Sequence, residues 1–256
     1  MTLPQILSCM HETAREAGKR AIELRRQGTL DERRKSDGSQ VSRADLEAHE
    51  LILKGLSSAF QGVPVISEEA PIPAWEIRRS WPSHFLVDPL DGSKGFLKGE
   101  DEFCVNIALL EGPIVTAAVL HHPPSGITYG AQRGLGAWKG GIPMARRTQF
   151  PSPIRAIDSR YHSSPKVEAH LKSMGITETL RCSSALKHCR IAEGAAEVYV
   201  SFKGTWAWDT AAAQLLLEEC GLQMVELETG RDLMHHREDL FNPPLLVRPL
   251  GPDPGV

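Results

Sequence analysis

A layered α/β protein is predicted here by three observations. Apolar residues recur at helical spacing in several separate stretches of the chain. Short runs of Val, Ile, Leu and Phe lie between those stretches and end at Gly, Pro or Asp. The early runs are joined by tight turns and the later ones by helices, so the sheets begin antiparallel and then become mixed. With 256 residues, 41% of them hydrophobic, the chain can bury a substantial core.

The first helix is expected over residues 5–27, where Ile6, Met10, Ala14, Ala17, Ala21 and Leu24 share one face and Gly28 provides a stop. Polar residues 28–41 read as a loop. Ser42 then caps a helix to about Phe60, with Asp45 three residues on in capping-box position. Val63–Ser67 reads as a strand, and Phe85–Val87 as another that ends at Asp88. Val105–Leu110 and Ile114–Leu120 flank Glu111-Gly112-Pro113 as a hairpin, and Tyr129–Gln132 and Ala137–Lys139 extend the meander.

Gln149-Phe150-Pro151-Ser152-Pro153 breaks the pattern and divides the chain into residues 1–150 and 151–256. The second part predicts a strand at Ile154–Ser159, a helix at Ser164–Met174, a strand at Glu178–Arg181 and a helix at Ala185–Glu193. A strand at Ala196–Val200 and a helix at Thr210–Glu219, ended by Gly221, follow. The Pro-rich tail is expected to wind over the surface.

Composition excludes several functions. A formal net charge of −3 leaves no basic field for nucleic-acid polymers or anionic membranes. A small phosphate ligand stays open, because a metal can supply the positive charge. Cys9, Cys104, Cys182, Cys189 and Cys220 are odd in number and contain no C-x-x-C pair, which argues against a zinc ribbon or a disulfide framework. Free thiols fit a reducing cytoplasm. His11, Glu12 and Arg15 interrupt the apolar N-terminal stretch, so it does not read as a signal peptide. No apolar run approaches the roughly 18 residues that span a bilayer. The chain reads as cytoplasmic, at most peripheral on the inner membrane, and as a monomer or homodimer.

The chemistry concentrates at Asp88-Pro89-Leu90-Asp91-Gly92-Ser93. A strand delivers Asp88, Pro89 forces a turn, and Asp91 returns to the same side. The chain then turns through Gly92 into a short helix, where N–H groups at Gly92 and Ser93 can face an anion. Two converging carboxylates call for a cation, and an oxygen-only donor set selects Mg²⁺ or Mn²⁺. Taken alone, the same residues also describe an Asp-Gly turn with a capping Asp. Two further acids occupy comparable places. Glu68, in Ser67-Glu68-Glu69, follows a strand, and Asp209 stands where the N-cap of the last helix belongs. Strand ends and helix starts are where α/β folds assemble metal and phosphate sites.

Ser67-Glu68-Glu69, Asp88-Pro89-Leu90-Asp91-Gly92-Ser93 and Trp208-Asp209-Thr210-Ala211-Ala212, in that order, resemble the metal-dependent, lithium-inhibited phosphatases of the inositol monophosphatase superfamily. The resemblance runs from about Lys35 to Asn242. Leu86–Lys94 and Phe103–Leu109 look closest to its bacterial 3'(2'),5'-bisphosphate nucleotidase branch. Pro82, Ser159-Arg160-Tyr161-His162 and Asn242-Pro243 point the same way.

The resemblance implies an α-β-α-β-α sandwich with an antiparallel N-terminal sheet and a mixed C-terminal sheet. Residues 1–150 would be the metal-binding half and 151–256 the substrate-facing half. Glu68, Asp88 and Asp91, with the Leu90 carbonyl, would hold one Mg²⁺, and Asp91 and Asp209 a second. Asp45 would stand near a third ion or its waters. Glu68 and the Ser93 hydroxyl would orient the attacking water, and Gly92 and Ser93 would bind the scissile phosphate. The implied reaction converts adenosine 3',5'-bisphosphate to AMP and phosphate, with the sulfated precursor as a further substrate. Inositol monophosphate and fructose 1,6-bisphosphate are the competing substrates, and a non-catalytic nucleotide-binding regulator is the competing function.

Several residues depart from the branch. Ser93 and Ser42 stand where Thr is usual, Gly95 where Glu is usual, and Ala213 where Gly is usual. Cys182-Ser183-Ser184-Ala185 alters a small, Gly-containing segment. Arg160, His162 and Lys187 are candidate contacts for nucleotide phosphate or ribose, and Lys35 could approach the site. The pairs His121-His122 and His235-His236 are not spaced to chelate zinc. Trp208 reads as core.

Overall fold

Helix α1 (Leu3–Gln27) forms because Met10, Ala14, Ala17, Ala21 and Leu24 make one buried stripe. The computed structural model describes residues 3–34 and 40–251. Strands β1 (Arg33–Arg34) and β2 (Gln40–Val41) pair antiparallel within the stretch read as a loop. Helix α2 (Arg43–Ala59) starts at the expected Ser42 cap. Ser42 Oγ accepts from the Ala44 N–H, and the Asp45 carboxylate accepts from the Ser42 N–H.

Seven strands then form one sheet in the order β3-β4-β5-β6-β7-β8-β9. They are β3 (Val65–Ser67), β4 (Ser83–Asp91), β5 (Cys104–Glu111), β6 (Ile114–His122), β7 (Ile127–Gln132), β8 (Gly136–Lys139) and β9 (Ile142–Met144). Short helices α3 (Trp75–Arg78) and α4 (Ser93–Leu97) lie before and after β4. Pairing is antiparallel except at β3–β4, which is parallel. The expected antiparallel sheet therefore carries one parallel edge, because α3 and its flanking loops cross over between those two strands.

Alternation along these strands feeds two cores. Phe85, Val87, Val105, Ile107, Leu109 and Val119 face α1 and α2. Leu86, Cys104, Ala108, Leu110, Ala118 and Leu120 face the other way, into a cluster with Ala207, Ala211, Leu215 and Leu216.

The second part supplies the remaining layers. They are β10 (Ala156–Ser159), α5 (Pro165–Ser173), β11 (Thr179–Cys182), α6 (Leu186–Ala192), β12 (Tyr199–Ser201), α7 (Ala207–Glu219), β13 (Leu222–Glu226) and β14 (Leu245–Pro249). β10 and β11 pair in parallel, and β12-β14-β13 form an antiparallel sheet. A single parallel bridge, Ala156 to Val198, joins the two groups. The mixed C-terminal sheet is thus two small sheets stitched together. Tyr199, Met224 and Val247 point towards α6 and α7, while Val200, Val225 and Leu246 point towards α5. The layering is α1/α2, large sheet, α6/α7, small sheets, α5.

Three expectations need correction. The tail does not wind over the surface: it contributes β13 and β14, whose alternating apolar residues are buried on both faces. The last helix begins at Ala207 rather than Thr210, so Asp209 is its third residue and Trp206 is the N-cap. The expected strand at Ala196–Val200 is ordered instead over Tyr199–Ser201.

Candidate active site

Local rules of the β4 strand build the site. Asp88 pairs with Asn106 and Asp91 with Cys104, so three steps on β4 match two on β5. Residues two apart on a strand share a face, and the extra residue therefore returns Asp91 to the face of Asp88. Pro89, which lacks an N–H, sits inside this irregularity, where no ladder bond is lost. β4 runs three residues past the expected end at Asp88 because the ladder resumes beyond it. The Leu90 N–H donates to Asp88 Oδ1 at 3.0 Å, fixing the turn.

Glu68 follows β3 directly, and its N–H donates to the Val87 carbonyl at 3.1 Å, which sets its backbone beside the Asp88 turn. Asp209 comes from the first turn of α7, where its Oδ2 accepts from the Trp206 N–H at 2.7 Å. One carboxylate oxygen from each of Glu68, Asp88 and Asp209 lies within 4.8 Å of the others. Burial pushes the Asp88 carboxyl well above its ordinary range, and the charges of Glu68, Asp91 and Asp209 push it further. Asp209 is raised well above its range too, by burial and then by Asp91 and Glu68. Such a cluster of oxygen donors could hold a hard divalent cation, whose charge would reverse those shifts.

Asp91 stands beside the three but is differently bonded. Its Oδ2 accepts from the Ala185 N–H, from Asn106 Nδ2 at 3.3 Å and from Cys104 Sγ at 3.8 Å. Burial raises its pKa, opposed by the Lys187 charge and by these bonds. Lys187 is shifted upward: its burial lowers the pKa, but Tyr199, Asp91, Cys182 and Asp209 outweigh that.

The turn after Asp91 admits only glycine. Gly92 has φ +100°, and a Cβ there would stand 2.8 Å from the Glu102 carbonyl oxygen. It leads into α4, where Ser93 Oγ lies 2.7 Å from Asp45 Oδ1 and 2.8 Å from the Leu90 carbonyl. Asp45 Oδ2 accepts from both the N–H and the hydroxyl of Ser42. Asp45 is 1% exposed and reaches the cavity only through Ser93.

These residues open on a cavity of about 640 Å³. Its wall includes Glu68, Asp88, Leu90, Asp91, Gly92, Ser93, Lys187 and Asp209, drawn from both halves of the chain, together with His162. His162 Nδ1 accepts from Lys203 Nζ at 3.2 Å. Arg160 is placed elsewhere. Its guanidinium pairs with both Glu102 oxygens, at 2.7 and 2.9 Å, and it does not line the cavity. Lys35 lies outside the described residues.

The structure adds wall residues to which the sequence assigned no role: Tyr199, Lys203, Thr205, Trp206 and Phe241, with Tyr161 from the Ser159-Arg160-Tyr161-His162 stretch. Trp206 and Phe241 adjoin motifs that were read, Trp208-Asp209 and Asn242-Pro243, and that adjacency was the available signal. Two departures also acquire a setting. Ser184 has φ +54°, a conformation that favours glycine. A Cβ on Gly95 would meet Glu100 Oε2 at 3.0 Å, so Glu100 and Tyr161 fill the space beside it.

Comparison with known proteins agrees with this geometry. The sequence profile of the inositol monophosphatase family matches residues 3–246. The 3'(2'),5'-bisphosphate nucleotidase CysQ of Salmonella typhimurium is 38% identical over 213 residues, 82% of this chain and 85% of the relative. A CysQ from a strain of Escherichia coli is 36% identical over 237 residues, 91% and 95% of the two chains. Among solved structures, CysQ from Bacteroides thetaiotaomicron superposes with a TM-score of 0.85 at 29% identity, over 96% of this chain and 98% of the other. A staphylococcal inositol monophosphatase, at 20% identity and a TM-score of 0.84, shares the fold.

Proposed function

Because this chain belongs to the inositol monophosphatase family, we propose that it is a Mg²⁺-dependent 3'(2'),5'-bisphosphate nucleotidase, converting adenosine 3',5'-bisphosphate to AMP and phosphate. One observation carries the chemistry: the Glu68, Asp88 and Asp209 oxygens within 4.8 Å at a cavity whose wall also bears lysines and aromatic rings. The substrate follows from the nucleotidase relatives, which cover most of this chain. They do not favour the inositol or sugar-bisphosphate alternatives.

The residues divide the work as follows. Glu68, Asp88 and Asp209, with the Leu90 carbonyl and Asp91, would hold the cations. A bound divalent ion supplies positive charge against the phosphate oxygens and makes water more acidic. Ser93 donates its single proton to Asp45, which leaves a hydroxyl lone pair to accept a proton of the attacking water. Glu68 accepts from the same water, directing its oxygen at phosphorus. The N–H groups of Gly92 and Ser93 receive the scissile phosphate, and the Ala185 N–H keeps Asp91 from rotating away. Lys187, whose Nζ donates to the Ser184 carbonyl at 2.7 Å, and Lys203 beside His162 face the second phosphate as cations. Little covalent chemistry is asked of the protein, since positioning and charge dominate phosphoryl transfer. All five cysteines are free, which fits the cytoplasm as the site of action.

Asp209→Asn tests the assignment. It keeps the shape of the α7 start and the bond to Trp206 but removes one anionic donor. Phosphate release should fall about a hundredfold or more, with an unchanged far-ultraviolet spectrum. Full activity in the variant would contradict the proposal.

A further inference from the structure

One corner of the cavity has no part in holding metal or phosphate. Trp206 and Phe241 line it, next to Gly204 and Thr205. Trp206 stacks on Trp208 at 5.0 Å with 8° between the planes, and Phe241 meets Trp206 edge-on at 5.1 Å and 74°. Trp208 is 5% exposed and lies behind the wall, whereas Trp206 lies in it and Phe241 is 43% exposed. Exposed aromatic surface beside a concave polar site costs hydration and marks a ligand contact.

The corner is built, and it is rigid. A Cβ on Gly204 would come 2.1 Å from Phe241, so that glycine is what lets the ring approach the chain so closely. Trp206 and Phe241 face each other across an antiparallel bridge. Asn242 locks the bridge: its Nδ2 lies 3.0 Å from both Thr205 Oγ1 and the Trp206 carbonyl, and 2.8 Å from Thr210 Oγ1. The Asn242 N–H donates to the Thr205 carbonyl at 2.6 Å. Rings held this way lose little freedom when a second ring stacks on them. The corner is also tied to the metal cluster, because the Trp206 N–H donates to Asp209.

We infer that Trp206 and Phe241 form a stacking shelf for the nucleobase of the substrate, and that this shelf sets the preference for a nucleotide over a phosphorylated sugar or polyol. The inference rests on the nucleotidase reading and deepens it. Every base has a π-face, so the shelf selects for a base without reading which one. Discrimination among bases is expected to be weak and discrimination against base-free esters strong.

The test compares kcat/KM for adenosine 3',5'-bisphosphate with that for its abasic tetrahydrofuran analogue, on the full chain with Mg²⁺. Replacing Trp206→Leu and Phe241→Leu together should lower the ratio about tenfold or more, mostly through KM for the nucleotide. Trp206→Phe and Phe241→Tyr, which keep the rings, should restore most of the ratio. An unchanged ratio in the double leucine variant overturns the shelf. AMP and ribose 5-phosphate binding, measured by calorimetry, separates this result from the nucleotidase reading. If the protein hydrolyses no nucleotide yet binds AMP more tightly, and the double variant abolishes that preference, the shelf stands and the nucleotidase reading falls. If AMP and ribose 5-phosphate bind equally to the unaltered protein, the shelf falls whatever the turnover.

Discussion

Ser93 shows how a single side chain joins two distant parts of the sequence. Its hydroxyl lies between Asp45 Oδ1 and the Leu90 carbonyl, linking the first turn of α2 to the end of β4. Ser93→Ala should lower kcat about a hundredfold or more with little effect on KM, because it removes the hydroxyl proposed to orient the water. Ser93→Thr should retain activity within a few-fold, since the added methyl only narrows the rotamers. Equal activity in the alanine variant would remove Ser93 from the mechanism. The acidic cluster was legible because Glu68, Asp88, Asp91 and Asp209 each stand at a strand end or helix start. The Ser93–Asp45 bond was not, because 48 residues separate its partners and no periodicity links them. Arg160 misled for a related reason: a surface guanidinium has several acceptors within reach, and here Glu102 takes it.

Among the elements, the start of α7 is fixed by a side chain from the chain segment before β14. Asn242 bonds Thr205, Trp206 and Thr210, and its Oδ1 accepts from Arg237 at 2.8 Å. Asp209 lies in the same turn. Asn242→Ala leaves these buried groups without partners, at a cost of about 1–3 kcal/mol. The melting temperature should fall by several degrees, and the Mg²⁺ concentration for half-maximal rate should rise several-fold. A drop in stability with unchanged metal dependence would limit Asn242 to a structural role. The helices and the central strands were readable because their apolar residues keep period: Met10, Ala14, Ala17 and Ala21 on α1, and alternation along β5 and β6. β13 and β14 were not. The tail's prolines signal turns, and its two strands are far apart in sequence: β13 pairs with β14, and β14 lies between β13 and β12. The three-residue error at the start of α7 arose because Asp is a common N-cap, whereas here it caps from the third position.

At the scale of the whole molecule, five layers bury several histidines as neutral rings. Burial holds His84 and His121 at about 4 and His235 at about 3, and His188 well below its ordinary value. An unfolded histidine titrates near 6.5, so below that pH the unfolded chain binds protons that the fold refuses. Each such ring therefore costs no stability above about pH 6.5 and about 1.4 kcal/mol per pH unit below it, until its folded pKa is reached. His121 lies on β6, bonded to Thr128 Oγ1 at 2.8 Å and away from the acidic cluster. His121→Gln should flatten the fall in urea midpoint between pH 6.5 and 4.5 by about one proton's worth. An identical slope in the variant would show that His121 is protonated in the folded protein.

Layering and chemistry meet in the cavity, which is walled by both halves of the chain. Phosphate release from adenosine 3',5'-bisphosphate and from inositol 1-phosphate, assayed side by side with Mg²⁺, with EDTA and with Mg²⁺ plus Li⁺, tests that union most directly. We predict release that strongly favours the nucleotide, is abolished by EDTA and is reduced by Li⁺. Release that is indifferent to EDTA, or that favours the inositol ester, would contradict the account.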